Sequence, residues 1–355
     1  MLTLRYSHRP LRFNFPARTS RGALTEHVAW YLHVHDTAQP SVVGLGEAAP
    51  LAGLSPDYGP GFEAHIQALC ADFNRLALPE LPPEQAHQFV GEDLPALRFA
   101  LETALLDLQH GGRRLLYDTP FSRGEAGLPI NGLVWMGDAA FMREQIQKKL
   151  AEGYSCLKLK IGSLDFATEL QLLREIRAVA GPKELTLRVD ANGAFAPAEA
   201  LAKLAALSEF ALHSIEQPIR AGQWAEMARI CRESPVPVAL DEELIGVPAE
   251  QQLALLTETR PAYIILKPTL LGGLQRTLQW LRTANQLSIG WWLTSALESN
   301  VGLNAISQFA GQYVMDGFPQ GLGTGQLYHN NVAAPLHIQG GALHYNPQGT
   351  WELPE

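Results

Sequence analysis

The stretch CLKLKIG at residues 156–162 sets two lysines, Lys158 and Lys160, at alternate positions of a run whose other side chains are mostly apolar. Strand alternation sends Leu157, Leu159 and Ile161 to one face and both lysines to the other. A buried ammonium is costly unless it loses its proton or gains a counter-charge, so a buried pair predicts carboxylates nearby. For a lone lysine pair the alternative is a half-exposed strand with solvated ammonium groups. Acids do end three later apolar runs: Asp190 closes LTLRVD, Glu216 closes LHSIE and Asp241 closes VPVALD, and a further lysine, Lys267, closes AYIILK before Pro268. The intervals from Lys160 through Asp190, Glu216 and Asp241 to Lys267 are 30, 26, 25 and 26 residues, each the length of one strand–helix unit. The same point in successive units therefore carries an ionisable group.

Three acids on adjacent strands repel one another unless a cation sits among them. All-oxygen ligation suits a hard ion that keeps positions open, Mg²⁺ first and Mn²⁺ nearly as well. Such an ion, on the carboxylate of a small-molecule substrate, stabilises the enediolate that forms when the neighbouring C–H gives up its proton. Lys160 is then the expected base. Lys158 is expected to tune it and to help hold the substrate carboxylate, and Lys267 to flank the substrate from across the mouth. Taken singly, each acid has another use. Asp190 in DANG suits a turn, Glu216 can pair with Arg220, and Asp241, Glu242 and Glu243 suit a helix N-terminus.

The elements that must carry these residues read as an α/β repeat. Apolar runs at 129–137, 156–162, 185–193, 212–219, 236–244, 262–270 and 289–299, with a weak eighth near 316–325, alternate with segments such as FATELQLLREIRAVAG whose apolar residues recur at three and four. Eight strands and intervening helices predict a βα barrel over residues 126–325, whose C-terminal mouth gathers the strand-end residues. A doubly wound open sheet competes, but its glycine fingerprint after the first strand is missing. Residues 1–125 read as an α+β unit in front of the barrel, with LTEHVAWYLHVHD in partial strand alternation and ALRFALETALLDLQHG as an amphipathic helix. Residues near 14–24 and 44–60 read only as turns, and the tail at 326–355 is expected to return as strands to the front unit. Trp291 and Trp292 are expected as one core residue and one wall of the pocket.

With 355 residues, 46% of them apolar, the chain can bury one large core or a large and a smaller one. Its net charge of −9 comes without a long block of either sign, which argues against nucleic acid or an anionic membrane as partner. Cys70, Cys156 and Cys231 are widely spaced and odd in number, which argues against a disulfide framework. No apolar run reaches the length of a membrane span, and MLTLRYSHRPLRF lacks a signal-peptide core, so a cytoplasmic enzyme is expected.

The ordered set KLK (158–160), RVDANG (188–193), IEQP (215–218), ALDEE (239–243), ILKP (265–268) and TSALES (294–299), with GLGEAAPLAGLS (44–55) ahead of it, resembles the enolase superfamily in its muconate-lactonizing subgroup. The likeness covers nearly the whole chain. It implies a modified TIM barrel, (β/α)₇β, closed by an α+β capping domain, with Mg²⁺ on Asp190, Glu216 and Asp241. The Lys base and metal-stabilised ene-diolate are a known pattern of this superfamily. Within the subgroup the chain is most similar to the dehydratases of menaquinone biosynthesis, which act on 2-succinyl-6-hydroxy-2,4-cyclohexadiene-1-carboxylate. By that likeness Lys160 removes the proton and then protonates the departing hydroxyl, while Lys267 stays cationic. Ser295 and Gly323 are expected at the substrate, and Arg188, Asn192 and Glu242 behind the metal ligands. Dipeptide epimerases are similar but carry an Asp-x-Asp motif where this chain has GLGTG (321–325). N-acylamino acid racemases and muconate cycloisomerases share the catalytic set. Outside the family, a Schiff-base lyase would use Lys267 as nucleophile and leave the three acids without a purpose. A non-catalytic binding barrel would have no use for the lysines and acids together.

Overall fold

The computed structural model describes residues 1–19, 22–314 and 317–354. Three antiparallel strands come first: β1 (Leu2–Thr19), β2 (Gly22–Asp36) and β3 (Val43–Ala48), paired in that order. Residues 14–19 and 22–24, read as turns from the sequence, belong to the long β1–β2 hairpin; Ser20 and Arg21 of that stretch lie outside the described residues. The sequence around FNFPARTS hides the hairpin because its ladder shifts register between Arg12 and Ala17, which interrupts the alternation. Helices α1 (Phe62–Leu76) and α2 (Pro95–Gln109) cover this sheet. Contact with α2 is possible because Gly44 and Gly46 of β3 have no side chain: a Cβ at either would lie about 2 Å from the carbonyl oxygens of Ala104 and Ala100.

The second unit begins with two short strands, β4 (Leu128–Pro129) and β5 (Gly132–Val134), and then alternates. Its elements are α3 (Ala139–Ala151), β6 (Cys156–Lys160), α4 (Phe166–Val179), β7 (Thr186–Asp190), α5 (Pro197–Leu207), β8 (Ser214–Glu216), α6 (Trp224–Glu233), β9 (Val238–Leu240), α7 (Gln252–Thr259), β10 (Tyr263–Leu266), α8 (Pro268–Leu271), α9 (Leu274–Gln286), β11 (Gly290–Leu293) and α10 (Asn300–Tyr313). Strands β5 to β11 form one parallel sheet in chain order. Asp138, Asp165 and Ser299 cap α3, α4 and α10 through their side chains, so three of these helices start where a residue can accept an orphan N–H. The helix-facing side of the sheet is apolar: Leu157, Leu159, Leu187, Val189, Ile215, Leu240, Ile264 and Leu266 are all buried in one core.

Closure of the curled sheet differs from the eight-strand expectation. Seven strands form the ladder, and the eighth position is held by two isolated parallel bridges, Ile130 to Gln320 and Thr294 to Gly321. Pro319, which has no amide N–H to donate, and the glycines at 321, 323 and 325 keep this segment from forming a strand of its own; Asp316, in the expected run, lies outside the described residues. The backbone of Gln320 and Gly321 still bonds to both neighbours, Gln320 N to Pro129 O and Gly321 N to Leu293 O, each at 2.8 Å, and the Gln320 side chain adds a further bond by accepting from Leu293 N at 2.8 Å.

The tail also departs from its expected course. Strands β12 (Leu336–Gln339) and β13 (Ala342–Tyr345) form a hairpin that pairs with β4, not with the front sheet. Residues on either side of the hairpin do reach the front unit, through Asn14 N to Leu327 O at 2.8 Å and the Arg9–Glu352 ion pair at 2.6 Å. Among the described residues no helix is long and apolar enough to cross a membrane.

Candidate active site

The parallel register decides what meets at the mouth. Lys160 on β6 stands opposite Asp190 on β7, and Asp190 opposite Glu216 on β8. Glu216 pairs with Ala239 of β9, so Asp241 follows two residues beyond, and Lys267 follows the end of β10. One row deeper, Lys158 stands opposite Arg188. Three lysines and three acids thus point into one enclosed space, and each acid is turned onto an ammonium. Lys158 Nζ donates to Glu216 Oε2 at 2.5 Å and lies 3.0 Å from Asp190 Oδ2. Lys160 Nζ donates to Asp190 Oδ2 at 3.0 Å and to Asn192 Oδ1 at 2.8 Å. Lys267 Nζ donates to Asp241 Oδ2.

Burial makes these charges matter to one another. Desolvation pushes the Lys158 ammonium toward losing its proton, but Asp190, Glu216 and Asp241 outweigh it and raise its pKa. Lys267 is raised in the same way, against burial, by Asp241 and Glu216. Asp190 is held below the usual carboxylate range despite its burial, because Lys158, Lys160 and Lys267 surround it. Glu216 moves the other way: burial and then the negative charge of Asp190 and Asp241 push it well up, and its Oε1 has no hydrogen-bond partner. Buried oxygens without donors are rare.

That observation bears on the metal. Among the described residues no three acids, histidines or cysteines are gathered as an ion would need them; the lysines take up the carboxylates instead. The donor chemistry nevertheless fits a hard divalent cation: three carboxylates at the ends of adjacent strands, one of them with an oxygen unpartnered and a pKa raised by crowded negative charge.

Side chains behind the row hold it in place. Asn192 accepts from Lys160, donates to Glu242 Oε1 at 3.1 Å and turns the chain through a left-handed backbone, its N–H on Asp190 Oδ1 at 2.9 Å. Glu242 therefore reaches Asn192, and Glu243 reaches Gln217 and Gly222 N, so these acids brace neighbouring loops more than a helix start. Gln217, quoted in IEQP without a role, accepts from Asp241 N at 3.2 Å and Glu243 N at 3.3 Å while donating to Ile219 O and Glu243 Oε2 at 3.0 Å. Its backbone is left-handed, with a φ of 39°, and no sequence pattern announces it.

Arg188 lies one row below the acids, as its place two residues before Asp190 predicts, and its hydrogen bond goes elsewhere than to them. It lies at the closed end of the barrel, its Nη1 on Pro319 O at 2.8 Å and its guanidinium 4.1 Å over Trp292 and 4.6 Å over Phe318. Neither tryptophan lines the mouth: Trp292 is beneath Arg188, and Trp291 turns outward to donate to Asn285 Oδ1 at 3.0 Å. Trp292 is the core residue expected of the pair, and neither tryptophan is a wall of the pocket.

A cavity of about 330 Å³ opens above the row. The front unit contributes Phe15, Leu51 and Leu54, while Lys160, Lys267, Ser295 and Gly323 come from the barrel. Its size and its apolar roof over a charged floor suit a small organic anion.

The comparisons agree with this geometry. Residues 141–349 match the family model described as enolase C-terminal domain-like. The chain is 48% identical to the o-succinylbenzoate synthase of Desulfotalea psychrophila across 96% of this chain and 98% of that one. It superimposes on the crystal structure of MenC from Desulfotalea psychrophila LSv54 with a TM-score of 0.83 at 45% identity, covering 97% and 99% of the two chains. A muconate lactonizing enzyme from Pseudomonas fluorescens, 22% identical with a TM-score of 0.79 over 96% of this chain and 93% of that one, shares the fold. Strand-end lysines and acids around one mouth, a roof from the front unit and these likenesses together make the chain a member of the enolase superfamily.

Proposed function

We propose that the chain is an o-succinylbenzoate synthase, a lyase that removes water from 2-succinyl-6-hydroxy-2,4-cyclohexadiene-1-carboxylate and leaves the aromatic 2-succinylbenzoate. The observation that carries the reading is the position of Lys160, inside a cavity of matching size, on a row of three acids with Lys267 on the far side. The 48% identity over nearly the full length supports this chemistry among the alternatives within the superfamily.

Residues 1–125, with parts of the tail, act as the cap that roofs the site, and residues 126–325 carry the chemistry. Asp190, Glu216 and Asp241 hold the divalent ion, Mg²⁺ by preference. When bound, that ion supplies positive charge to the substrate carboxylate and so favours loss of the adjacent proton. Lys160 as a neutral amine keeps two N–H donors, enough to stay on Asp190 and Asn192, and its lone pair is then free toward the cavity. It takes the proton next to the carboxylate, and the C–H electron pair passes into the carboxylate as an enediolate. Those electrons return to form the ring double bond as the hydroxyl departs, and Lys160 returns its proton to that oxygen, so water leaves on the face from which the proton came. Lys267, held cationic by Asp241 and Glu216, offsets the negative charge from the opposite side. Lys158 offsets part of the charge of Glu216 and Asp190, and from the row below it tunes Lys160 and helps hold the substrate carboxylate.

The test is direct. Purified chain with Mg²⁺ and the cyclohexadiene acid should convert it to the aromatic product, read as loss of diene absorbance, and EDTA should stop the conversion. A chain that binds Mg²⁺ and leaves the acid unchanged would disprove the proposal, and borohydride trapping of Lys267 with substrate would replace it with a Schiff-base lyase.

A further inference from the structure

Glu298 is fully buried yet belongs neither to the acid row nor to the cavity wall. Its carboxylate collects three donors from two strand ends. Oε2 accepts from Ser295 Oγ at 2.5 Å and from Ala296 N at 2.8 Å, and Oε1 accepts from Thr269 Oγ1. Each donor stands next to something the site uses. Thr269 lies in the single turn of α8, whose first residue follows Lys267; the Lys267 carbonyl accepts from Leu270 N at 2.9 Å and Leu271 N at 3.0 Å. Ser295 and Ala296 line the cavity.

The loop that Glu298 holds would not hold itself. Leu297 has a φ of 71°, a left-handed conformation that costs a leucine energy unless its surroundings impose it. They do: Leu297 N donates to Ser295 Oγ at 3.0 Å, and Leu297 O accepts from Tyr328 Oη at 2.6 Å. Thr324, from the segment that closes the barrel, donates to the same Ser295 Oγ at 2.7 Å. Ser295 thus spends its hydroxyl proton on Glu298 and its lone pairs on Thr324 and Leu297, so its position depends on the carboxylate beneath it. Remove the carboxylate and the Lys267 turn loses its side-chain link to the 294–297 wall, while Ser295, which also holds Thr324 of the closing segment, loses the acceptor that orients its hydroxyl.

We propose that Glu298 is a positioning residue for the reaction: one buried carboxylate that fixes the turn carrying Lys267 and the cavity wall at Ser295–Leu297 relative to each other. The inference rests on the function proposed above for its kinetic consequence, and on the hydrogen bonds alone for its structural one.

Glu298→Gln keeps the shape and replaces one acceptor oxygen with a donor nitrogen. Misplacing reacting groups by an ångström can cost roughly 10²-fold, so kcat is expected to fall by about that factor, with a smaller rise in KM. Amide exchange should accelerate at residues 267–271 and 294–299 while the barrel helices keep their protection. Thr269→Val, which deletes one donor without changing volume, should lower kcat by about tenfold and leave KM within about twofold. Should Glu298→Gln fail to fold, Thr269→Val decides alone. A merely structural role would lower the melting temperature of both variants and leave kcat per folded molecule and the local exchange pattern unchanged, and that result overturns the proposal. If the wild-type chain does not dehydrate the cyclohexadiene acid, the functional reading fails separately. The exchange pattern then decides the positioning role: local acceleration upholds it, and uniform protection removes it.

Discussion

Lys158 and Lys160 reach the same atom, Asp190 Oδ2, each from 3.0 Å. Two cations on one carboxylate oxygen explain how a core strand tolerates both lysines, and they also separate the roles. Lys158 is additionally tied to Glu216 and sits on the deeper row. Lys160 has Asn192 as its other partner and borders the cavity. Lys158 and Lys267 border the same cavity, but Lys158 is tied to two acids from the deeper row and Lys267 to Asp241, so Lys160 is the lysine proposed to exchange a proton with the substrate.

Lys160→Ala should therefore fold normally and lose at least about 10⁴-fold in kcat/KM, since general base and general acid are removed together. Lys160→Arg restores the positive charge but not the proton exchange, because a guanidinium does not deprotonate in a protein. It should be as inactive as the alanine variant. Steady-state assay of the two beside circular dichroism checks this; turnover by Lys160→Arg within about tenfold of wild type would show that charge alone suffices.

Lys158 should matter first for stability. Lys158→Met leaves Glu216 and part of Asp190 buried without their cation, and breaking a buried pair from one side costs about 3–5 kcal/mol. A divalent ion on the same carboxylates offsets that loss, so Mg²⁺ should raise the melting temperature of Lys158→Met by more than it raises that of wild type. Equal shifts in the two proteins would mean that the ion does not bind at Glu216 and Asp190.

The strand-end acids and lysines were legible in the sequence because their spacing equals the repeat of the fold, and strand register then carries each to the mouth. What was not legible has a common cause. Gln217 and Glu47 act through partners set by tertiary folding, as Glu298 does where it reaches Thr269 beyond its local partners Ser295 and Ala296; Glu47 of β3, for instance, accepts from Ser299 N at 2.7 Å and Ser299 Oγ at 2.6 Å across 252 residues. No local periodicity encodes such a pairing. The eighth strand failed for the opposite reason: its apolar residues are there, but its proline and glycines leave only two bridges.

Among the described residues Asp241 has Lys267 as its one side-chain partner, away from the two lysines that share Asp190. Asp241→Asn keeps the shape and halves the donor strength, so the loss should appear in metal affinity before it appears in chemistry. Calorimetric titration with Mg²⁺ should show Kd raised by at least about tenfold, the equivalent of about 1.4 kcal/mol, and kcat at saturating Mg²⁺ should fall less than kcat at limiting Mg²⁺. An unchanged Kd would remove Asp241 from the ligand set.

The joint between cap and barrel carries a pH dependence of its own. Glu102 of α2 is buried, and its carboxylate caps α9 by accepting from Leu274 N at 2.7 Å and Gln275 N at 2.9 Å. Gly273 makes room for it, since a Cβ there would lie 2.1 Å from Glu102 Oε2. Burial pushes Glu102 up to about 8, with the two amides and Arg98 opposing. A folded pKa above the unfolded one means that the native state binds the proton more tightly. The contribution is thus complete below the ordinary glutamate range, declines as pH rises, and is lost once pH passes about 8. Glu102→Gln cannot titrate. The stability of wild type relative to this variant should therefore fall between pH 5 and pH 8, by up to about 1.4 kcal/mol per pH unit. Urea unfolding of both proteins at pH 5, 7 and 9 measures the difference. A gap that stays constant over that range would show that Glu102 is already ionised in the native state at pH 5, with the α9 amides stabilising the carboxylate more strongly than burial opposes it.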